Sequence, residues 1–327
     1  MLDKFFNKDQ LITKINSLSA NNEDFMFIVD FSANNGLVIE LSQLKNYGIA
    51  CEINGENFGV EISNNEQISE IKISPIPFLE YQKSFNIVKN GLLKGDTYLL
   101  NLTFPTQIIS DINLESIYLK SRSKYKFLLP DKFLFYSPEP FIKIENNKIY
   151  SFPMKGTILA SVPNAEQVLL SDKKELYEHF TIVDLIRNDL GMVADNIEVE
   201  EFRYIEKIQT AKGDILQTSS KISGDLPSNW QENFGEMLFR LLPAGSISGA
   251  PKQKTLEIIK EAEVDGRNFY TGIMGIYKNG CVNSCVIIRY IEKLGKKYFY
   301  RSGGGITALS NDYNEYNELI EKIYIPI

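Results

Sequence analysis

An α+β fold is predicted by two features of this 327-residue sequence. Short apolar runs of strand length are separated by Asn/Gly turns, and stretches with three- to four-residue apolar spacing lie among them. The two kinds of stretch interleave without the regular strand–helix repeat of a doubly wound parallel sheet. A hydrophobic content of 43% and a charged content of 24% are typical of a globular chain with one large or two ordinary domains.

The N-terminal third is predicted to be mainly strand. Residues 1–75 mix apolar runs such as Phe25–Val29 with Asn/Gly turns, which indicates strands joined as hairpins. Residues 80–92 have helical apolar spacing, and Gly95-Asp96 breaks this pattern. Tyr98–Thr103 then has the composition of a strand.

Further along the chain, three helices alternate with strands. Apolar residues recur at helical spacing through 173–190, and Pro251 favours a helix start at 251–263. A last helix is predicted at 312–323. The strands are expected at two places, 133–152 with a turn at Glu145–Asn147, and 271–302.

Composition and termini exclude several classes of protein. The net charge is −7 and no dense Lys/Arg run occurs, which argues against nucleic acid as a partner. No apolar run approaches the roughly 18 residues of a membrane span, and the N-terminus has no signal-peptide pattern. Three cysteines and a single histidine favour free thiols in a reducing compartment and disfavour zinc. We therefore expect a cytoplasmic protein without a membrane partner.

Two pairs of glutamates stand out on predicted helices. Glu175 and Glu178 are three residues apart, as are Glu315 and Glu318, so each pair projects from one helix face. Four carboxylates on two faces suit a hard cation such as Mg²⁺. Solvated surface carboxylates and helix capping are the alternatives, because Asp172 and Asp312 precede the outer glutamates by three residues. Spacing alone leaves both interpretations open.

Two glycine-rich segments and two basic residues are the other candidates. Residues 243–252 form a Gly/Ser loop that runs into a helix, where Ser246, Ser248 and Lys252 would make an anion cradle. The triple glycine Gly303–Gly305 allows close approach of a ligand, or simply a tight turn. Arg289 lies in an apolar strand, where its head group reaches either water or a carboxylate.

In combination and in order, these segments resemble the chorismate-utilising enzymes, which include component I of aminodeoxychorismate synthase and of anthranilate synthase and the isochorismate and salicylate synthases. The resemblance covers about residues 95–322. It implies antiparallel sheets surrounded by helices, with 95–327 as the catalytic region and 1–94 as a short β-rich part of the same compact fold. The matching stretches are Gly95–Thr103, Ser137–Phe141, Pro153–Thr157, Glu178-His179, Ile182–Gly191, Gly245–Lys252, Tyr270–Gly275, Ile288-Arg289, Gly303–Ile306 and Glu315–Lys322.

The resemblance also implies roles for these residues. Glu178 and Glu318 would bind Mg²⁺, which holds the ring carboxylate of chorismate, and Glu175 and Glu315 would lie close to the ion. The remaining matched positions would surround the substrate. They are Ser246, Ser248, Tyr270, Arg289, Gly303, Gly304, Gly305 and Lys322.

Lys155 in Pro153–Thr157 indicates which member of the family this is, because aminodeoxychorismate synthases have lysine there and anthranilate synthases typically have alanine. The resemblance implies that Lys155 attacks C2 of chorismate as the C4 hydroxyl leaves, and that ammonia then adds at C4 and expels the lysine. The expected product is 4-amino-4-deoxychorismate, a precursor of 4-aminobenzoate and folate. Anthranilate synthase component I, or another chorismate-converting enzyme, is the alternative.

One departure and one absence qualify the match. The family often has a basic segment after the Lys-Gly-Thr motif, whereas Ile158–Ser161 follows here. The chain also has no recognisable glutaminase motif. A separate glutamine amidotransferase is therefore expected to supply the ammonia, unless free ammonium is used.

Overall fold

A computed structural model describes residues 5–63, 70–208 and 213–326 of the chain. Two antiparallel sheets pack face to face, and helices cover their outer faces. Two short 3₁₀ helices lie at Leu41–Tyr47 and Trp230–Asn233. The α-helices of the described residues are α1 Lys8–Ala20, α2 Phe78–Lys94, α3 Leu114–Lys120, α4 Ala165–Ser171, α5 Lys173–Leu190, α6 Phe234–Arg240, α7 Gly245–Ser248, α8 Lys252–Ala262 and α9 Asp312–Glu321.

The strands divide into a larger first sheet and a second sheet. Those of the described residues are β1 Phe6–Asn7, β2 Phe25–Val29, β3 Asn35–Glu40, β4 Ala50–Ile53, β5 Glu56–Gly59, β6 Ile73–Ser74, β7 Leu99–Ile108, β8 Tyr125–Leu129, β9 Phe133–Ser137, β10 Pro140–Glu145, β11 Lys148–Ser151, β12 Met154–Leu159, β13 Asp195–Ile208, β14 Ile215–Asp225, β15 Gly249-Ala250, β16 Ile273–Lys278, β17 Cys281–Val286, β18 Tyr290–Leu294 and β19 Lys297–Ile306.

The order of the strands interleaves the two ends of the chain. The first sheet runs β1-β3-β2-β16-β17-β10-β11-β14-β12, and β13 also pairs with β14. The second runs β15-β7-β19-β18-β9-β8-β4-β5, and β6 also pairs with β7. Strands from residues 1–94 therefore lie in both sheets. In the first sheet, β2 lies between β3 and β16, as the third strand from one end.

Strand β2 shows why the sheets stack. All five of its residues are buried, and successive side chains point to opposite faces. Met26 and Ile28 pack between the two sheets, whereas Phe25, Phe27 and Val29 pack under the helices. A strand buried on both faces is a continuous apolar run rather than an alternating one, and this is the pattern of Phe25–Val29.

Most of the sequence predictions for single elements are confirmed. Helix α5 has the predicted limits, and α2 and α9 lie within three residues of theirs. The strands at 133–152 and 271–302 are present, with the turn at 146–147. Pro251 is the N-cap of α8, with an extended backbone, instead of its first helical residue.

The prediction for residues 1–75 is wrong in one respect, because α1 occupies Lys8–Ala20. Leu11, Ile15 and Leu18 recur at helical spacing and are buried against the first sheet. A reciprocal capping box between Asn7 and Gln10 begins the helix. In the part of the chain that the structure describes, no helix is long and apolar enough to cross a membrane.

Gly275 tests how tightly the first sheet packs. A Cβ at this position would lie 2.4 Å from Phe27 Cζ and 2.7 Å from Ser284 Cβ. We expect Gly275→Ala to lower the free energy of unfolding by about 1–3 kcal/mol through overpacking, measured by denaturant or thermal unfolding. Gly266→Ala is the matched control, because nothing lies within 4 Å of its Cβ position. Equal stability of the two variants would contradict the packing described for β2, β16 and β17.

Candidate active site

A cleft of about 450 Å³ opens where the edges of the two sheets meet. Strand β12 of the first sheet and β19 of the second border it, together with β7 and the α7 loop. The cleft brings together the predicted nucleophile and all of the predicted substrate-binding residues. They are Lys155, Ser246, Ser248, Tyr270, Arg289, Gly303, Gly304, Gly305 and Lys322.

Lys155 projects from β12 towards both α5 and β19. Its Nζ lies 3.9 Å from Glu178 Oε2 and 4.0 Å from the position of a Cβ on Gly305. A Cβ at position 305 would be in ordinary van der Waals contact with the lysine, and only a larger side chain would compete with it for space. About a quarter of the Lys155 side chain is exposed, so the amine is reachable from the cleft.

The two glutamate pairs lie beside the cleft on helices that pack on different sheets. Glu175 Oε2 lies 3.0 Å from the Cβ position of Gly156, next to Lys155. Glu315 Oε2 and Glu318 Oε1 each lie 3.5 Å from the Cβ position of Gly304. Both carboxylates therefore lie within van der Waals distance of the wall of the cleft at Gly304.

Helix capping, the alternative explanation for the spacing of the glutamates, applies to only one of the two helices. Asp172 caps α5 by accepting from the backbone N–H of Glu175. On α9 the cap is Asn311, which accepts from the backbone N–H groups of Tyr313 and Asn314. The suggested cap by Asp312 is therefore wrong, and the orientation of Glu315 needs another explanation.

The two carboxylates of each glutamate pair repel each other. Burial raises the pKa of Glu175, and the nearby Glu178 raises it further. Burial likewise raises the pKa of Glu315, and Glu318 adds to this, although a hydrogen bond from Ser310 acts against it. Bringing a cation to these groups would relieve both effects, so the donor chemistry fits a hard divalent ion.

The present contacts of the inner glutamates are with lysines. Glu178 lies 3.9 Å from Lys155 Nζ and 3.8 Å from Lys174 Nζ, and Glu318 pairs with Lys322 at 2.6 Å. Among the described residues, no three His, Cys, Asp or Glu side chains are arranged to hold a metal ion. Binding an ion therefore requires that Glu178 and Glu318 exchange lysine partners for it.

Cationic and aromatic groups form another part of the wall of the cleft. Arg289 adopts a left-handed backbone conformation with φ of 52°, and its guanidinium lies 5.7 Å from the ring centre of Tyr324. The Lys322 ammonium donates to the carbonyl of Gly303 at 3.1 Å. Tyr270 is buried, and burial raises the pKa of its phenol, so it remains a neutral hydrogen-bonding group at neutral pH. This wall suits an anionic ligand with more than one carboxylate.

The hydroxyl groups of the Gly/Ser loop donate to protein acceptors, whereas the sequence predicted that they form an anion cradle. Ser246 donates to Glu139 Oε1 at 3.0 Å, and Ser248 donates to the carbonyl of Ala244 at 3.0 Å. Lys252 does not line the cleft, because its Nζ donates to Asp189 at 3.0 Å. The prediction that Lys252 forms part of an anion cradle is therefore wrong for this conformation.

Sequence reasoning did not assign a role to Glu139, which lines the cleft in the segment between β9 and β10. Burial raises the pKa of Glu139, while the hydrogen bond from Ser246 and the charges of Lys155 and Lys322 partly lower it. Asn101 on β7 was also missed. It lines the cleft, and its Oδ1 is buried without a hydrogen-bond partner. Both lie in stretches that carry the family resemblance, which was the only signal available.

His179 sits behind β12 rather than in the cleft. It is fully buried, and its Nε2 shares a 2.6 Å hydrogen bond with the Ser220 hydroxyl. Burial, together with the nearby charge of Arg203, lowers the pKa of His179 to about 4. The imidazole is therefore neutral at pH 7 and serves to join α5 to β14.

Comparison with known proteins identifies relatives with matching architecture. Residues 43–327 match the family described as chorismate binding enzyme. An uncharacterized PabA-like protein of Haemophilus influenzae is 47% identical over 316 residues, 97% of this chain and 96% of that protein. Aminodeoxychorismate synthase component 1 of Salmonella typhimurium is 32% identical over 260 residues, 75% of this chain and 56% of that protein. The crystal structure of anthranilate synthase component I from Streptococcus pneumoniae has a TM-score of 0.69 at 25% identity, covering 78% of this chain and 59% of that one.

Glu139 gives the site a testable pH signature. Because its folded pKa is raised above the ordinary value of 4.5, the folded protein becomes less stable relative to the unfolded chain as pH rises between these two values. Glu139→Gln removes this loss and keeps an acceptor for Ser246. We expect the variant to match wild type at about pH 4 and to exceed its thermal midpoint at about pH 8. Glu23→Gln, at an exposed turn, should show no such divergence; a pH-independent difference for Glu139→Gln would contradict the assignment.

Proposed function

The chain belongs to the chorismate binding enzymes, and from this premise we propose that it is a component 1 aminodeoxychorismate synthase, which replaces the C4 hydroxyl of chorismate by an amino group. One observation carries the proposal. Lys155 reaches the same cleft as Arg289, Lys322 and the buried carboxyl Glu139. Amination of a dicarboxylate by two displacements requires a nucleophile, a proton donor for the leaving group and cations that bind the carboxylates. The cleft holds all three kinds of group.

The first displacement uses the amine of Lys155 as the nucleophile. Its Nζ forms a bond to C2 of chorismate, the two conjugated ring double bonds each shift by one position, and the C4–O bond breaks. The leaving oxygen departs as water if it takes a proton, and the raised pKa of Glu139 suits that carboxyl to donate one. The attacking amine must itself be neutral, because an ammonium has no free electron pair.

The second displacement reverses the first with ammonia. Ammonia attacks C4, the two double bonds shift back, and the C2–Nζ bond breaks to release Lys155 and 4-amino-4-deoxychorismate. The summed change is chorismate plus ammonia to the amino product plus water. Since the amine is regenerated, Lys155 serves in every turnover.

The side chains around Lys155 would hold the substrate. Arg289 and Lys322 provide charge for carboxylates, and Tyr270 and Ser246 provide neutral donors near them. Glu178 and Glu318, with Glu175 and Glu315 next to them, would hold Mg²⁺. The ion supplies charge that binds and orients the ring carboxylate. A Glu178 carboxylate that held the ion would no longer contact Lys155.

The source of ammonia is the remaining part of the proposal. The name of the Salmonella relative, component 1, implies a second component. A glutamine amidotransferase that hydrolyses glutamine is the partner that fits, with free ammonium as its substitute in vitro. The pathway served would be that of 4-aminobenzoate and folate, in the cytoplasm.

The product of the reaction tests the proposal. With chorismate, Mg²⁺ and ammonium as reactants, we expect 4-amino-4-deoxychorismate as the product. Chromatography and mass spectrometry would detect it. Anthranilate fluoresces and is readily distinguished. Anthranilate as the main product would replace the proposed activity by that of anthranilate synthase component I.

Removal of the nucleophile tests the covalent step. We expect Lys155→Ala to lower kcat/KM by about 10³-fold or more, since the first displacement loses its attacking group. Lys173→Ala removes an exposed lysine at the start of α5 and should leave the rate unchanged. Full activity of Lys155→Ala would exclude a covalent role for this residue.

Removal of a metal ligand tests the glutamate cluster. Mg²⁺ bound to the folded protein raises its thermal midpoint, so binding is measurable without turnover. We expect Glu178→Gln to abolish both this shift and the Mg²⁺-dependent activity. Glu166→Gln, on the exposed side of α4, is the control. A wild-type response to Mg²⁺ in Glu178→Gln would refute the metal assignment.

A further inference from the structure

An ion pair outside the cleft links the Gly/Ser loop to the helix that carries Glu175 and Glu178. Asp189 lies in the last turn of α5, and Lys252 is the first residue of α8. Their side chains meet at 3.0 Å and are mostly enclosed, with 12% and 22% exposed. Neither residue lines the cleft, and the proposed reaction gives neither a role.

Lys252 links the two ends of the segment that contains the Gly/Ser loop. Its Nζ donates to Asp189 Oδ1 at 3.0 Å and also to the carbonyl of Leu241 at 3.3 Å. Leu241 precedes the loop and Lys252 follows it, so one ammonium joins the two ends of the segment 241–252. The span between them is held as a closed turn.

Asp189 fixes the beginning of the same loop. The backbone N–H of Gly245 donates to its carboxylate, and Oδ2 lies 2.7 Å from where a Cβ on Gly245 would be. Only glycine leaves room for this approach. One carboxylate therefore accepts from the first residue of α7 with one side and from Lys252 with the other.

The two serines of the loop lie between these attachments. Ser246 reaches Glu139 at 3.0 Å, and the Ser248 hydroxyl is fully buried. Short loops hold side chains at fixed positions only where their backbone is anchored to rigid elements. Here α5 and α8 provide that anchor through Asp189 and Lys252.

We propose that Asp189 and Lys252 are positioning residues, which hold Ser246 and Ser248 at the substrate and keep the loop in register with Glu178. The inference rests on the proposed function only in taking chorismate as the ligand. A displacement of about 1 Å at a substrate-positioning group is enough to cost up to about 100-fold in rate, so anchoring the loop has a direct kinetic effect.

The test separates positioning from stability with two variants. Lys252→Met leaves the Asp189 carboxylate buried without its counter-charge, which lowers the thermal midpoint. The double variant Asp189→Leu with Lys252→Met replaces the pair by apolar groups of similar size, which returns the midpoint towards wild type. We expect the KM for chorismate to rise about tenfold or more in both variants, because both lose the anchor. A KM that recovers together with the midpoint would overturn the proposal.

A matched ion pair elsewhere controls for the effect of removing a buried lysine. Lys126 and Glu52 meet at 2.6 Å on β8 and β4, with 10% and 21% exposed, and neither lines the cleft. Lys126→Met should lower the midpoint without changing the KM for chorismate. A comparable rise in KM for Lys126→Met would show that loss of stability alone produces the effect, and would also overturn the proposal.

A measurement without turnover distinguishes this inference from the proposed reaction. Hydrogen exchange followed by mass spectrometry reports the protection of backbone amides in 244–250. We expect faster exchange there in the double variant, with wild-type exchange in the strands of both sheets. Unchanged exchange in the loop would refute the anchoring role whatever the product of the enzyme. Faster exchange in a protein that makes no 4-amino-4-deoxychorismate would refute only the proposed function.

Discussion

The apolar contact between the two sheets determines whether this chain has a site at all. Helix α5 packs on the first sheet and α9 on the second, so the distance between their glutamate pairs is set by how the sheets stack. Met26 and Ile28 from one sheet and Phe127 and Phe135 from the other form part of that contact. Helix α5 supplies Glu175 and Glu178 beside the cleft, and α9 supplies Glu315, Glu318 and Glu321. Neither helix alone forms the whole carboxylate cluster, so the stacking of the sheets sets its dimensions.

Electrostatic balance is the second constraint on the site. Burial raises the pKa of Glu175 and of Glu315, the charges of Glu178 and Glu318 add to this, and lysines from three different elements lie against these carboxylates. The buried pairs Glu263–Arg267 and Glu292–Arg301 lie under the same region and are closely paired. Their charges are satisfied within the scaffold, so the cleft retains Arg289 for an incoming anion. A buried charge needs a partner, which is why the charges beneath the cleft are paired. The cations that line the open cleft can instead take their partner from a bound anion.

Local patterns predicted much of the fold, and the family resemblance predicted the composition of the cleft. Apolar spacing gave the limits of α5, because Ile182, Val183 and Ile186 form a single buried stripe. The same spacing is present in α1, yet the neighbouring strand-like runs outweighed it. Glu139, Asn101 and the Asp189–Lys252 pair were not predicted, since each acquires its role from residues far away in sequence. The spacing of residues along the sequence cannot predict contacts between distant segments. A motif shared with a family identifies an important residue but not the residue that it contacts.

The position of β2 has a consequence for how the polypeptide reaches this structure. Phe25–Val29 pairs on one side with Ile273–Tyr277, about three quarters of the chain away. During synthesis the N-terminal hairpin is therefore made long before its neighbour exists, and it waits with an open edge and apolar residues on both faces. Loop closure over such a separation is slow, so the first sheet is completed only after most of the polypeptide has left the ribosome. Until then, the edge of β2 that will pair with β16 has no backbone hydrogen-bond partner from that strand.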